Sequence, residues 1–306
     1  MSDPPRRPAV VCVGHAALDA IVAVPRLPQP DERLPATDGV LAGGGPAATA
    51  AVALARLGVP VAFAGRVGDD PAGSFVRDGL DREGVDVSML DVVVGATPFT
   101  ACLVGPDGDR VLLPTPGSLP PIELTESLRA ALEHATWLHV DHVGAAILPA
   151  VRAGGLSVRI SVDGGNPIPG LALDRIDLYA PTLTALLELT GAADIETGLR
   201  AALDAGARLV VATDGANGSH AAWVEGGAVR SIHVPARPVS RLVSTLGAGD
   251  AFHGGLVAAL LEPRPIEDAL TRANAVAAAS TRALDGRSAL PDGAALAALL
   301  APEPVA

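Results

Sequence analysis

Short, unbroken apolar runs recur along the chain, each closed by glycine or a polar residue, with segments of helical length between them. The first is Ala9-Val10-Val11-Cys12-Val13-Gly14, 61–65 and 209–212 are similar, and further strands are expected at 136–140, 157–162 and 176–179. Runs that are apolar at every position belong to strands covered on both faces, as in a parallel sheet. Helices are expected between them. One is opened by residues 43–50 and reaches about 57, where Gly58 closes it. Others run from the turn at 67–73 to about 83, and over 123–134, 145–153 and 181–190. Near the end, an apolar helical run begins at about 248 and reaches 261, an alanine-rich helix covers 266–284, a turn takes 285–288, and a last helix covers 293–300. Strand and helix in alternation predict an α/β fold.

Two regions break this rhythm. Residues 20–24 and 33–41 read as short strands separated by proline-rich turns, and 87–94, 99–104 and 110–113 alternate with turns such as Pro106-Asp107-Gly108. They predict a small β-lid, formed by about 16–42 and 96–115 and inserted in the α/β core, within a single domain spanning 1–306. Two further β-like segments, 221–225 and 228–234, follow the strand at 209–212. The ends, 1–8 and 302–306, are expected to be disordered.

Composition narrows the possibilities. A chain of 306 residues can bury a sizeable core, and with 49% apolar but 2% aromatic residues that core must be alanine, valine and leucine. A net charge of −12 opposes general nucleic-acid binding. Cys12 and Cys102 stand far apart in apolar runs, which is neither a disulfide framework nor a zinc spacing. The start is polar and no apolar run is long enough to cross a membrane, so a cytoplasmic protein is expected. All 22 basic residues are arginine. A chain without lysine has no P-loop, no protein-kinase strand lysine and no Schiff base. ATP chemistry here must rest on backbone amides, arginine and metal.

The richest stretch is Ser244-Thr245-Leu246-Gly247-Ala248-Gly249-Asp250-Ala251-Phe252-His253-Gly254-Gly255. A small-residue loop opening a helix leaves backbone N–H groups unpaired at the positive end of the dipole, which makes an anion site. Asp250, in the first turn, can take a proton from a substrate hydroxyl beside that anion. Asp19, Asp141 with His142, and Thr213-Asp214-Gly215-Ala216-Asn217-Gly218 all follow strand ends, where open α/β sheets bind ligands. A competing pattern is Gly43-x-Gly45-x-x-Ala48 with Asp69, which fits a dinucleotide fingerprint, although 35–42 make a poor buried strand.

The order Thr-Leu-Gly-Ala-Gly-Asp, then Ala-Phe-x-Gly-Gly, resembles the C-terminal signature of the ribokinase-like (PfkB) carbohydrate kinases. The likeness extends over the first strand, the Gly-Gly turn, the Gly-Asp-Asp turn and the Thr-x-Gly-x-x-Gly loop. It implies a Rossmann-type three-layer α/β/α core with a small β-sheet lid. It also implies an ATP- and Mg²⁺-dependent sugar kinase, a homodimer with no nucleic-acid or membrane partner. In that family Asp250 would be the base and Gly247, Ala248 and Gly249 the anion hole. Asp19, Gly43, Gly44 and Gly45 would contact substrate, with Asp141 at the crevice. Thr213, Asp214, Gly215, Gly218, Gly249 and Asn274 would serve the nucleotide.

This chain also departs from the family. Ser244 replaces an aspartate that helps hold a monovalent cation, which leaves activation by one uncertain. Thr182 and Ala185 replace an Asn-x-x-Glu pair tied to magnesium, so the protein's metal contacts stay open. Ala48 stands where ribokinase has a sugar-contacting asparagine, which opposes ribose. The run Gly-Gly-Gly-Pro-Ala-Ala-Thr-Ala resembles the 6-deoxy-6-sulfofructose kinases, with Arg33 facing the substrate's anionic end; a ketose or ketose phosphate is the broader expectation. Two alternatives remain: a nicotinamide-dependent oxidoreductase, and a non-catalytic sugar-binding relative.

Overall fold

The computed structural model describes residues 7–301. The terminal stretches singled out for disorder fall outside the described residues, apart from Arg7 and Pro8.

In chain order the strands are β1 (Val10–Val13), β2 (Ala17–Ala23), β3 (Asp38–Gly44), β4 (Val61–Gly68), β5 (Asp86–Val93), β6 (Phe99–Val104), β7 (Arg110–Thr115), β8 (Trp137–Val140), β9 (Arg159–Gly164), β10 (Leu178–Pro181), β11 (Leu209–Thr213), β12 (Ser219–Glu225) and β13 (Ala228–Val234). The helices are α1 (Pro46–Arg56), α2 (Pro71–Arg82), α3 (Glu126–Leu132), α4 (Leu148–Ala153), α5 (Leu183–Thr190), α6 (Ile195–Asp204), α7 (Ala248–Ala259), α8 (Ile266–Ser280) and α9 (Gly293–Leu300).

Nine strands form one sheet in the order β13-β12-β11-β10-β9-β8-β1-β4-β5, parallel from β11 to β5, with β12 and β13 added as an antiparallel hairpin. Alternate residues of the apolar runs serve opposite faces. Val10 and Cys12 pack with α1, α7 and α8, while Val11 and Val13 pack with α3, α4 and α6. This gives the expected three layers. From β1 the chain passes outward to β4 on one side, and β8 later takes the other flank. The strand order therefore reverses between β1 and β8, and the crevice there is the natural ligand position.

Four strands form the second sheet, β3-β2-β6-β7. Two strands differ from the sequence reading. β2 begins at Ala17, three residues before its expected start, so Asp19, already within the expected lid region, lies on a lid strand. β5 pairs in parallel with β4 and belongs wholly to the large sheet, because α2 returns the chain to it as a βαβ unit. α6 went unread in the sequence, although Asp194 caps it through the Thr197 N–H (2.9 Å) and Leu199, Ala202 and Leu203 bury one face. α8 ends at Ser280, four residues short of its expected limit.

Candidate active site

α7 starts at a glycine because of its backbone. Gly247 sits at φ 72, the left-handed region, and caps the helix without a side chain. A methyl group on Gly247 would overlap Gly286, so the loop at 285–288 lies directly against this turn. Ser244, fully buried, accepts the Leu246 N–H through Oγ at 3.1 Å and shapes the approach to the turn. The Ala248 N–H turns back to Thr245 O at 3.3 Å. The N–H groups of Gly249 and Asp250 have no acceptor among the described residues. A methyl group on Gly249 would meet nothing within 4 Å, so the space over these amides is open. Of the three residues expected to form the anion hole, the turn leaves Gly249 freest and gives Ala248 a long internal bond.

Asp250 stands in the first turn of α7, and its carboxylate accepts no hydrogen bond among the described residues. Burial pushes its pKa up to about 7, helped by the negative charges of Asp163 and Asp141 and opposed by His253 and Arg287. Behind it lies a buried pair. His253 Nδ1 is 2.9 Å from Asp163 Oδ2, at the end of β9. Burial disfavours a charged His253, but the Asp163 carboxylate outweighs it and the net shift is upward. Asp163 moves the other way: burial would raise it, yet His253 and the Gly165 N–H (2.8 Å) hold it below the usual range. His139, bonded to Ser161 at 3.0 Å, is pushed down to about 3 by burial and by the His253 charge, and so is neutral.

Asp19 reaches the same region from the lid. It is 9% exposed and its carboxylate lies against Gly44, which has no room for a methyl group. Burial raises its pKa to about 6, with Arg287 and the Thr100 hydroxyl pulling back. Gly43 and Gly44 close β3, and Gly45, at φ 95, turns the chain into α1. That placement removes the dinucleotide alternative. Its glycines follow an antiparallel lid strand, whereas the fingerprint needs a buried parallel strand running into the helix.

Asp141 is a correction. It is fully buried, and its two oxygens accept the N–H groups of His15 (2.7 Å), Ala47 (3.1 Å), Val143 (2.9 Å) and Gly144 (2.9 Å). Four donors fill the lone pairs of a carboxylate, so it braces the β1–β8 crevice and has no position left for substrate. Arg33 is another. It lies exposed in the loop between β2 and β3, not on a strand, and it makes no hydrogen bond among the described residues.

At the end of β11, residues 215–217 make a single 3-10 turn, and Asp214 N–H bonds Gly218 O at 2.8 Å. Gly218, at φ 101, is pressed against Val234 and Ala236. Asn274 acts from behind this loop. Its amide nitrogen donates to Val234 O (3.1 Å) and Pro235 O (3.2 Å), fixing the segment that Gly218 touches. It therefore braces the loop and does not present its amide nitrogen to a nucleotide. Thr213, Asp214, Gly215 and Gly218 stay together as one surface at a parallel strand's carboxyl end.

Among the described residues no group of three or more His, Cys, Asp or Glu side chains is arranged to hold a metal. Thr182, at the position of the family's missing asparagine, caps α5 through the Ala185 N–H at 3.1 Å. The residues present do not fit a protein-built magnesium cage. Magnesium commonly stays on substrate phosphates with most of its waters, which needs no such cage.

The sequence reading passed over Asp163, His253 and Arg287. Each owes its importance to burial beside a partner distant in sequence. Only the spacing of His253, one turn after Asp250, signalled anything.

The pfkB family carbohydrate kinase model matches residues 7–157 and 168–293. An ATP-dependent ribose-1-phosphate kinase from Halopiger xanaduensis is 33% identical, over 95% of this chain and 97% of its own. An acarbose 7(IV)-phosphotransferase from Actinoplanes sp. is also 33% identical, over 88% and 90%. The structure of Arabidopsis thaliana ribokinase complexed with ribose and ATP superposes with a TM-score of 0.80 at 27% identity, covering 96% of this chain and 98% of that one. With the match spanning the large sheet, the lid and the glycine turn that starts α7, the chain belongs to the pfkB family of carbohydrate kinases.

Proposed function

We propose that this carbohydrate kinase transfers the γ-phosphoryl group of Mg·ATP to a hydroxymethyl group of a small ketose or ketose phosphate, with Asp250 as the general base. The observation that carries this is Asp250 itself: a carboxylate without a hydrogen-bond donor, its pKa raised to about 7, beside two unpaired amides under open space. A base is most effective near the working pH, and burial puts it there. The substrate hydroxyl would give its proton to Asp250 while the amides of Gly249 and Asp250 take up charge on the transferring group. Asp19 and the Gly43–Gly45 turn would hold the sugar's other hydroxyls. Thr213, Asp214, Gly215 and Gly218 would seat the nucleotide. Holding both reactants in line supplies much of the rate. The lid strands close over the crevice and exclude water; at their hairpin tip Arg110 bonds the Thr245 hydroxyl just before the anion turn. Apolar residues left exposed on the lid, Leu41, Leu112 and Leu113, support pairing with a second copy of the chain.

The test is ADP release from Mg·ATP over a panel of fructose, other ketoses, ketose phosphates, ribose, ribose 1-phosphate, acarbose and 6-deoxy-6-sulfofructose. Turnover of one member that disappears in Asp250→Asn supports the reading. The sulfosugar also tests Arg33, since its turnover should then fall in Arg33→Ala. ATP binding without turnover on any member would favour a sugar-binding relative and overturn the kinase mechanism.

A further inference from the structure

The loop after α8 holds a charge that the proposed reaction has not used. Arg287 is 7% exposed and has no carboxylate within 4.0 Å among the described residues. Its contacts are specific nonetheless. Nε donates to Thr49 Oγ1 on α1 at 3.1 Å, and Nη2 donates to Gly44 O at the end of β3 at 2.9 Å. Nη1 lies over Gly43 so closely that any side chain there would strike it. The backbone that presents it is equally fixed. Asp285 accepts the Arg287 N–H (2.9 Å), the Ser288 N–H (2.6 Å) and the Ser288 hydroxyl (2.7 Å), and Gly286 packs on Gly247.

One short loop thus touches both halves of the site: its backbone backs the anion turn, and its side chain grips the end of the lid. We propose that Arg287 is a positioning residue for phosphoryl transfer, locking the substrate-facing end of β3 to the loop behind the anion turn and supplying a fixed positive charge to Asp19 and Asp250 together. The inference rests on the kinase reading above. Burial lowers the pKa of Arg287 to about 10, so it stays charged at neutral pH. The groups that act on it are Asp19 on β2, Asp250 on α7, Asp285 in its own loop and Glu83 after α2. Asp250 is faced in addition by Asp163 from β9, Asp141 from β8 and His253 from α7. Asp19 is also faced by Asp285 and by Thr100 of β6.

The test compares Arg287→Met, Arg287→Lys and Gly43→Ala with the unaltered chain on a sugar the latter phosphorylates. Arg287→Met should lower kcat/KM for the sugar about 100-fold, with KM for ATP unchanged. Because the lost cation stabilised both carboxylates, the acidic limb of the pH profile should move about one unit to higher pH. Arg287→Lys keeps the charge but not the fork. It should leave the limb in place and lose about tenfold. Gly43→Ala pushes the guanidinium off its seat, so its loss should be much smaller in the Arg287→Met background than in the unaltered chain. A brace with no electrostatic role would lower kcat/KM with no movement of the limb, and that result overturns the charge half. Multiplicative losses for Gly43→Ala and Arg287→Met, or normal kcat/KM in Arg287→Met, overturn the whole. If Arg287→Met does not fold, the other two variants decide. Hydrogen exchange at residues 43–45 without substrate separates this inference from the kinase reading. Faster exchange in Arg287→Lys supports the lock even where no sugar on the panel is turned over, and unchanged exchange overturns it.

Discussion

Two aspartates stand near one another in the crevice and have opposite relations to the backbone. Asp141, after β8, accepts four amide N–H groups. Asp250, in the first turn of α7, accepts none among the described residues, although free amides lie beside it. The first is a structural ion whose charge is dispersed over its donors. The second is kept short of donors by a helix start that directs its N–H groups outward, and burial makes its charged form unfavourable. Satisfaction makes one a brace, and the lack of it suits the other to the proposed role of base.

The sharpest way to break this contrast is to remove each carboxylate in turn. Asp250→Asn should lower kcat by about 10³-fold or more, with the circular dichroism spectrum and ATP binding unaltered. A loss below tenfold would mean that Asp250 is not the base. Asp141→Ala should act on the fold and not on chemistry. It strands four N–H groups, two of them buried and two half-buried, and should cost at least about 3 kcal/mol in urea unfolding. Full stability in that variant would sink the brace.

The same contrast has a signature in pH. Asp250 holds a proton more tightly folded than unfolded, so activity should fall as pH drops through about 7 while stability rises. The ionised carboxylate weakens the fold in full above about 7, and the penalty disappears below the unfolded carboxylate range near about 4. Asp250→Asn should therefore be more stable than the unaltered chain at pH 8, with the gain shrinking toward pH 4 in thermal melts. The smallest effect belongs to Thr182. As a helix cap it should contribute about 1 kcal/mol, lost in Thr182→Ala with little change in kcat. A collapse of kcat there would restore it to the metal's side of the reaction.

The anion turn was legible because its function is local. Gly247, Gly249 and Asp250 act through backbone conformation and helix position, which a dozen consecutive residues specify. The runs that became β1, β4 and β11 were legible for a similar reason, since burial on both faces writes itself as nearly unbroken apolar sequence. What was misread depends on distant partners. Asp19 was placed within the lid region but ahead of its strand, whereas β2 begins two residues before it, paired to β3 and β6. Asp141 was at the expected strand end, but the amides of His15 and Ala47 that occupy it come from elsewhere in the chain. Arg287 read as one polar residue in a turn, because nothing near it in sequence reports its burial against Gly43 and Thr49. α6 is the exception: its cap and apolar spacing were present and were passed over.

The lid is assembled from two separate pieces of chain, with β2 lying against β6 in the register Leu18 to Phe99. Between them, after β3, run α1, β4, α2 and β5, all parts of the α/β core. Closing the second sheet therefore brings together the ends of a long loop, an entropic cost that the large sheet's own neighbouring strands do not share to the same extent. Both tryptophans, Trp137 and Trp223, belong to the large sheet. Their fluorescence therefore follows the large sheet during refolding, while closure of the sheet that carries Asp19 passes in silence.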